Sequence, residues 1–275
     1  MTVLRSDEFF VLSVDVSICI ASLTSARSTL QHNVQQHKHQ HNPLLTMNST
    51  KVMKSIIVLL DLIDRQDWGL FQSTALSNPA AFRAIANAIR NSPKFYGMTL
   101  LHAVARYNPP LNVVARMISI CPDQLAAKDC LGRTPLHVAA GSSAEPRLIK
   151  FLAHAYPASC DATDEDGKTP LHFACDTACE LFEDDSANRS MPREVSHDTV
   201  RALLSESLQA ATIEDLDEMN ALEYAIMSNA ELRTVKLLQS ASCKSLQSRS
   251  LLSPTPAPGL LRRVSEPTET DRRHC

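Results

Sequence analysis

The sequence lacks the short motifs that accompany the common catalytic sites. It contains no glycine-rich phosphate-binding loop, no nucleophile elbow and no His-Glu-x-x-His helix. The formal net charge is only −3 at pH 7, so no overall excess of positive charge points to nucleic acid. The sequence therefore predicts neither an enzyme nor a cofactor-binding protein, and its function has to be sought in how the chain is organised.

The eight cysteines form no Cys-x-x-Cys pair, and the chain is not a short secreted scaffold of the disulfide-rich kind. Reduced thiols are the expected state, which predicts a cytoplasmic or nuclear protein. His172, Cys175 and Cys179 form a close group of Cys and His within the repeats. A zinc site would need a fourth ligand. We therefore expect structural roles for these residues, with a redox or metal sensor as the less favoured alternative.

The first 46 residues differ from the rest of the chain. The apolar run at residues 9–23 contains Asp15 and follows acidic residues, whereas a signal peptide needs a basic start and an uninterrupted apolar core. The run is also short for a membrane span. A tract rich in Gln and His at residues 31–41 favours disorder over weak metal binding. Residues 1–46 are expected to be a disordered leader or an upstream extension, with a targeting segment as the alternative.

One motif recurs along the middle of the chain. The pattern Gly-x-Thr-Pro-Leu-His-x-Ala occupies residues 132–139 and again residues 167–174. A looser copy that keeps the Gly, Thr, Leu and His occupies residues 97–104, and the motif leucines are spaced by 35 residues. A fixed period in this range is typical of a repeat solenoid. Its units are too small to bury their apolar faces alone and therefore stack.

Each position of the motif has a local physical role. The glycine suits a tight turn with positive φ, the threonine can cap a helix, and the proline fits the first helical position. His137 and His172 can hydrogen-bond the neighbouring turn through their ring nitrogens. Asp129, Asp164 and Asp215 each stand seven residues before a motif leucine, where a short acceptor can bond its own turn. The first repeat has a lysine at that position instead.

The motif resembles the signature of the ankyrin-repeat family, Thr-Pro-Leu-His-x-Ala. The resemblance implies an all-α solenoid with short β-turn fingers, in which each finger is followed by two antiparallel helices. It covers residues 95–239, which we interpret as four repeats. A helical N-terminal cap or degenerate repeat is expected at residues 47–94, with helices beginning near Lys51, Trp68 and Pro79. The fourth repeat lacks the turn glycine and the histidine, as a terminal repeat should.

Two further segments interrupt or follow the repeats. The third and fourth motif leucines are 51 residues apart, 16 more than the period. We place the surplus in an acidic insert at about residues 180–197, which is expected to be a mobile loop. The pattern ends at Gln239, and residues 240–275 are expected to form a disordered tail that contains Ser, Pro and Arg. Ser265 has Arg262 three residues before it. It resembles a kinase site and, once phosphorylated, a ligand for a phosphoserine-reading adaptor.

Charge is polarised along the repeats. Residues 51–160 hold 12 Lys+Arg and 6 Asp+Glu, a net of +6, whereas residues 161–218 hold 4 Lys+Arg and 16 Asp+Glu, a net of −12. The summed field can steer a partner of opposite charge. A nucleic-acid groove would need a continuous basic stripe. We therefore expect a protein partner that carries a basic segment, no nucleic acid and no membrane span.

In the ankyrin family, finger tips and inner helices line a concave binding face. The resemblance implies a non-catalytic protein–protein interaction module, an adaptor or scaffold, and the alternative is a regulatory subunit that inhibits a partner enzyme. Tyr96, Met98 and Leu131 are large and apolar and are expected to meet solvent at the tips, where an apolar cluster is typically a contact site. The residues placed on this face are our binding candidates: Phe95, Tyr96, Met98, Arg106, Tyr107, Cys130, Leu131, Arg133, Glu165, Asp166, Lys168, Asp176, Leu216, Asp217, Met219 and Met227.

Overall fold

The computed structural model describes residues 43–179, 181 and 193–252. The predictions for residues 1–42 of the leader, for the centre of the insert and for Ser265 lie outside the described residues. The expected disorder at residues 43–46 is wrong, because these residues belong to the first helix. Within the described part the chain forms eleven α-helices: α1 (Pro43–Asp64), α2 (Trp68–Ala75), α3 (Pro79–Arg90), α4 (Leu100–Ala105), α5 (Leu111–Ile120), α6 (Pro135–Gly141), α7 (Pro146–Ala155), α8 (Pro170–Cys175), α9 (His197–Glu206), α10 (Ala221–Met227) and α11 (Leu232–Leu252).

Local sequence sets where the helices of the N-terminal region begin. The Asp67 carboxylate accepts a backbone N–H of the first turn of α2 at 3.0 Å. The Asn78 side chain does the same for α3 at 3.1 Å, with Pro79 at the first helical position. The predicted starts at Trp68 and Pro79 are thereby confirmed. The first helix begins at Pro43, eight residues before the predicted Lys51.

The helices stack in two layers. The inner layer contains α4, α6, α8 and α10, each packed on the next, and the outer layer contains α5, α7, α9 and α11. The motif leucines, Leu101, Leu136 and Leu171, are buried between the layers. At the N-terminal end α1 packs on α4 and α3 packs on α5, so these helices cover the open face of the first repeat. The structure is an all-α solenoid behind a helical N-terminal cap.

Polar contacts fix the cap to the first repeat. The Arg83 guanidinium on α3 donates through Nη2 to the carbonyl oxygen of Ile120 at 3.0 Å, at the end of α5. The Tyr107 hydroxyl donates to the Asp64 carboxylate at 3.2 Å, at the end of α1. Both contacts join residues about 40 positions apart in the chain, one on each layer. They tie the cap to the first repeat on both layers.

The last helix continues beyond Gln239, where the sequence pattern stops. Leu238, Ala241 and Ser245 are buried on one face of α11. This face packs against a 3₁₀ turn at Gln209–Thr212, where the Ser242 hydroxyl donates to a backbone carbonyl at 3.0 Å. The expected end of regular structure at residue 239 is therefore wrong. Beyond Leu238 this buried stripe consists of Ala241 and Ser245, which are small or polar, so a search for hydrophobic periodicity misses it.

The two ends of the insert pack on the solenoid. Leu181 is buried against Gly141, where a Cβ atom would lie 2.4 Å from Leu181 Cδ1. The Arg193 guanidinium donates to the carbonyl oxygen of Phe173 at 2.7 Å, and Val195 is buried. The expectation of a wholly mobile loop at residues 180–197 is therefore wrong at its ends, because both are anchored beside α6 and α8.

Candidate protein-binding surface

An aspartate closes each finger of the second, third and fourth repeats. Asp129 Oδ1 accepts the backbone N–H groups of Leu131 and Arg133 at 3.0 and 2.9 Å. Asp164 Oδ1 accepts the backbone N–H groups of Asp166 and Lys168 in the same way, at 3.0 and 2.8 Å. Asp215 Oδ1 accepts those of Asp217 and Met219, both at 3.0 Å. The predicted role of the aspartates is confirmed. The first finger, which lacks the aspartate, follows a 3₁₀ turn at Pro93–Phe95 instead.

The finger glycines meet two requirements at once. Gly132 has φ +74°, and a Cβ atom there would lie 3.2 Å from backbone atoms of Asp164 in the next finger. Gly97 and Gly167 have the same positive φ and the same close approach. The fourth finger has Glu218 at this position, with φ 59°. Since no further finger follows within the described residues, a side chain fits there at the usual cost of a positive φ, about 1–2 kcal/mol.

Backbone hydrogen bonds join the fingers into a continuous row. At each tip a backbone N–H donates to a carbonyl oxygen of the preceding tip: Cys130 to Tyr96 at 2.7 Å, Glu165 to Leu131 at 2.9 Å, and Leu216 to Asp166 at 2.9 Å. The spacing of the tips is thus set by the main chain. The side chains on the row form what we call the finger ridge: Tyr96, Leu131, Glu165, Asp166, Leu216, Asp217 and Glu218.

A buried histidine links each of the first three repeats to the finger that follows it. His137 Nδ1 accepts the Thr134 N–H at 3.0 Å, so the ring proton is on Nε2, which donates to the Lys168 carbonyl oxygen at 3.1 Å. His102 and His172 repeat this geometry, with Nε2 2.9 and 3.1 Å from the carbonyl oxygens of the next fingers. The predicted structural role of the histidines is confirmed.

The environment keeps these histidines neutral. Burial lowers the pKa of His137 to about 3, although the bond to the Lys168 carbonyl opposes the shift. Burial likewise lowers the pKa of His102 and of His172 below the ordinary value. A neutral ring is what this geometry needs, because Nδ1 must accept while Nε2 donates. The series of hydrogen bonds therefore holds at physiological pH.

The fourth repeat ends the series with different residues. Glu223 stands at the histidine position, and its Oε2 accepts the Asn220 N–H at 2.7 Å while the Asn220 side chain accepts the Glu223 N–H at 3.3 Å. This reciprocal cap is complete without a following finger. The Tyr224 hydroxyl donates to Asp215 Oδ2 at 2.6 Å and so braces the last finger from behind. These contacts explain why the terminal repeat departs from the motif.

The finger ridge carries apolar and acidic side chains in the open. Tyr96 is 38% exposed and Leu216 is 75% exposed, while Leu131 is half-buried. The four carboxylates of the ridge are all exposed. Exposure at the tips is thus confirmed for Tyr96 and in part for Leu131. The sequence analysis did not include Glu218 among the binding candidates. The pattern that could have identified it is an acidic residue at the position where the first three fingers have glycine.

Two apolar candidates of the first finger are buried. Phe95 and Met98 are 4% and 5% exposed, and they line a small cavity with Leu60 and Ile89 of the cap. The expectation that Met98 meets solvent is therefore wrong. The cap covers this side of the first finger, which the repeat pattern alone does not reveal. Phe95 and Met98 hold the finger in place and do not belong to the exposed surface.

Two charged candidates are buried as well. Arg133 is 4% exposed, and its Nε and Nη2 donate to Asp129 Oδ2 at 2.9 and 2.8 Å. Asp176 is 9% exposed and accepts the backbone N–H groups of Ala178 and Cys179 at 3.0 and 3.1 Å. Both side chains are hydrogen-bonded to groups of their own turns. The expected solvent-facing positions of Arg133 and Asp176 are therefore corrected.

The remaining candidates line the inner face beside the ridge. The Arg106 guanidinium lies 5.3 Å from the centre of the Tyr107 ring. Lys168 Nζ lies 4.8 Å from the centre of the Tyr224 ring and 3.6 Å from Asp176 Oδ2. Burial lowers the pKa of Lys168, but the Tyr224 hydroxyl and nearby anionic groups outweigh it and raise the pKa above its ordinary value. Met219 is half-buried and Met227 is 69% exposed.

Negative charge concentrates at the third and fourth fingers. The Arg133 guanidinium pairs with Asp129 within the second finger, whereas Lys168 at the equivalent position of the third finger lies against Tyr224 and Asp176. Burial and the charge of Asp166 raise the pKa of Asp164 to about 6, against the backbone N–H donors that lower it. Glu165 and Asp166 stand exposed beside it. This end of the ridge therefore carries most of its negative charge.

The Cys and His group of the third repeat is structural. His172 uses both ring nitrogens, bonding Thr169 and the Met219 carbonyl oxygen. Burial raises the pKa of the Cys175 thiol to about 12 and that of Cys179 to about 11, which leaves little thiolate. Across the described ranges no group of three His, Cys, Asp or Glu side chains is placed to hold a metal ion. The geometry favours packing over sensing.

Comparison with family models identifies ankyrin repeats in this chain. Residues 101–188 match the family model described as ankyrin repeats (3 copies). A search of curated proteins finds no match. One similar solved structure is the ankyrin repeat domain of Bcl-3, described as a unique member of the IkappaB protein family, at 26% identity and a TM-score of 0.41. The match covers 53% of this chain and 57% of that one. With its repeated motif, its fingers and its linking histidines, the chain contains ankyrin repeats.

Proposed function

We propose that this chain is a non-catalytic adaptor or scaffold that holds a protein partner along the finger ridge. Ankyrin repeats form protein–protein interaction modules. The observation that carries the proposal is the ridge itself: a row of tips at fixed spacing, with apolar side chains at Tyr96 and Leu216 and carboxylates between them. Exposed apolar side chains rimmed by polar groups are typical of contact sites.

The order of the side chains indicates the shape of the partner segment. Tyr96 and Leu131 lie at one end of the ridge, and the four carboxylates lie at the other end with Leu216 among them. An elongated segment with an apolar end and a basic end complements this order. The apolar contacts would supply most of the affinity, and the exposed charges would mainly accelerate association.

The thiols support a cytoplasmic or nuclear location as part of this proposal. Cys121, Cys160 and Cys175 are free and buried within the repeats, and burial raises the pKa of each. Such packed thiols suit a reducing compartment. Among the described residues, no helix has the length and apolar character needed to cross a bilayer.

The test is binding to a partner captured from the native cells and identified by mass spectrometry. Tyr96→Ala combined with Leu131→Ala should weaken the complex by about 2 kcal/mol if these residues anchor it. Asp166→Lys should slow association and reduce its dependence on salt. Leu232→Ala is the matched control, because Leu232 is 67% exposed but begins the outer helix α11. Unchanged affinity and kinetics in both ridge variants, with folding intact, would place the binding surface elsewhere.

A further inference from the structure

The most exposed apolar side chain on the finger ridge stands among carboxylates. Leu216 is 75% exposed at the fourth tip. Its backbone N–H is bonded to Asp166 O at 2.9 Å, and Asp217 and Glu218 follow it in the chain, all exposed. An exposed leucine at a finger tip is typical of a site that makes an apolar contact. The carboxylates around it favour a contacting segment that also carries positive charge. The fitting occupant is a short segment that combines apolar and cationic residues.

The chain contains such a segment. Residues 260–264 read Leu-Leu-Arg-Arg-Val, two apolar residues followed by two arginines and a third apolar residue. They lie beyond the last described residue, Leu252. Arginine is suited to this surface, since its guanidinium can bond a carboxylate through two N–H groups. The composition of the segment thus complements the acidic end of the finger ridge.

The path of α11 leads toward that end of the ridge. Ser242 and Ser245 on α11 contact the turn that leads into the fourth finger, at 3.0 Å from Ala211 O and 3.2 Å from Thr212 Oγ1. Leu216 is only four residues beyond that turn. The seven residues from Ser245 to Leu252 add about 10 Å of helix. The eight residues from Leu252 to Leu260 can span up to about 27 Å, so the segment can reach the tip.

We propose that residues 260–264 dock on the acidic end of the finger ridge, with the leucines against Leu216 and the arginines beside Asp166, Asp217 and Glu218. The inference rests on the proposed function, because it makes the tail an intramolecular competitor for the partner site. A tethered segment has an effective concentration in the millimolar range. The tail therefore need bind only weakly to cover the ridge, and a partner must displace it.

The test uses full-length chains and a labelled synthetic peptide of residues 257–268. Its binding is measured by fluorescence anisotropy at low salt. The tail of the wild-type chain should compete with the peptide. Arg262→Glu with Arg263→Glu removes that competition, and the peptide should bind this variant at least 10-fold more tightly. Adding Leu216→Ala and Asp217→Lys should abolish the gain.

A charge control separates docking from a general effect of acidity. Glu145→Lys makes the same charge change as Asp217→Lys. Glu145 follows the C-terminal end of α6, whereas the fingers lie at the N-terminal end of that helix. Added to the tail variant, it should leave peptide binding unchanged. Equal binding to the wild-type and tail-variant chains, or binding that survives the ridge changes, would overturn the proposal. A dimer that sedimentation detects in the wild type and that the tail variant dissolves would assign the segment to a second copy and overturn the intramolecular arrangement.

The two proposals fail in different ways. If the peptide binds nowhere on the ridge while Tyr96→Ala with Leu131→Ala still weakens the captured partner, docking of the tail is wrong and the binding function stands. If the peptide binds as expected while the ridge variants leave the partner unaffected, the ridge holds the tail but is not the partner site.

Discussion

Replacing His137 by glutamine tests the histidine links between repeats. The side chain is fully buried. It bonds Thr134 N–H and the Lys168 carbonyl oxygen, and its ring lies edge-on to Phe173 at 5.5 Å between centres. Two hydrogen bonds contribute about 1 kcal/mol each, and the ring pair contributes about 1 kcal/mol more. We expect His137→Gln to lower the free energy of unfolding by about 3 kcal/mol at pH 7.5, measured by urea denaturation.

The pH dependence of the free energy of unfolding of the same variant tests whether the His137 ring is neutral in the folded protein. The pKa of His137 is about 3 in the folded protein, against an ordinary value of 6.5 for the unfolded chain. This histidine therefore contributes stability that is fully present above pH 6.5 and is lost as the pH falls toward 3. Between pH 7.5 and pH 5 the loss is about 2 kcal/mol. Since glutamine does not titrate, the difference between wild type and variant should shrink from about 3 to about 1 kcal/mol.

A matched histidine serves as the control for this experiment. His154 has a side chain that is 82% exposed and lies 3.4 Å from a carboxylate oxygen of Glu206. His154→Gln should change the free energy of unfolding by no more than about 0.5 kcal/mol, as surface substitutions do. If the difference between wild type and His137→Gln stays the same at pH 7.5 and pH 5, then His137 takes up its proton in the folded state. That result would refute the proton assignment and the neutral link.

Two further substitutions probe the supports of the surface. Gly141→Ala should cost about 1–3 kcal/mol in urea denaturation, because the added Cβ would lie 2.4 Å from Leu181 Cδ1; if Leu181→Ala in the same chain restores none of this loss, Leu181 is not the obstacle. Tyr224→Phe should cost about 1–3 kcal/mol by leaving Asp215 Oδ2 without its 2.6 Å donor in a buried position. An effect no larger than that of Tyr156→Phe, at an exposed tyrosine, would show that the hydroxyl does not brace the fourth finger.

The repeat core could be predicted from the sequence because each motif residue meets a local requirement. The glycine allows the positive φ at Gly132, and the aspartate at Asp129 closes its own turn. These requirements recur every 35 residues and can be recognised one repeat at a time. Even the missing histidine of the fourth repeat follows from stacking, since within the described residues no later finger follows Glu223.

The exposure of the binding candidates could not be predicted in the same way. Met98 occupies a finger position, yet the cap buries it beside Leu60. Arg133 is buried by its own ion pair with Asp129, whereas Lys168 at the equivalent position turns toward Tyr224 of the next repeat. Burial at these sites depends on contacts with residues far away in the chain, and the period carries no information about them. The anchored ends of the insert were missed for the same reason.

Hydrogen–deuterium exchange of the free and partner-bound chain tests the central claim most directly, because it reports which amides the partner protects. The claim is that the finger ridge is the surface that a protein partner covers. We predict added protection at the four finger tips, over residues 95–98, 130–132, 165–167 and 216–218, with unchanged exchange along the outer helices α5, α7 and α9. Protection confined to those outer helices, with no change at the tips, would contradict the account.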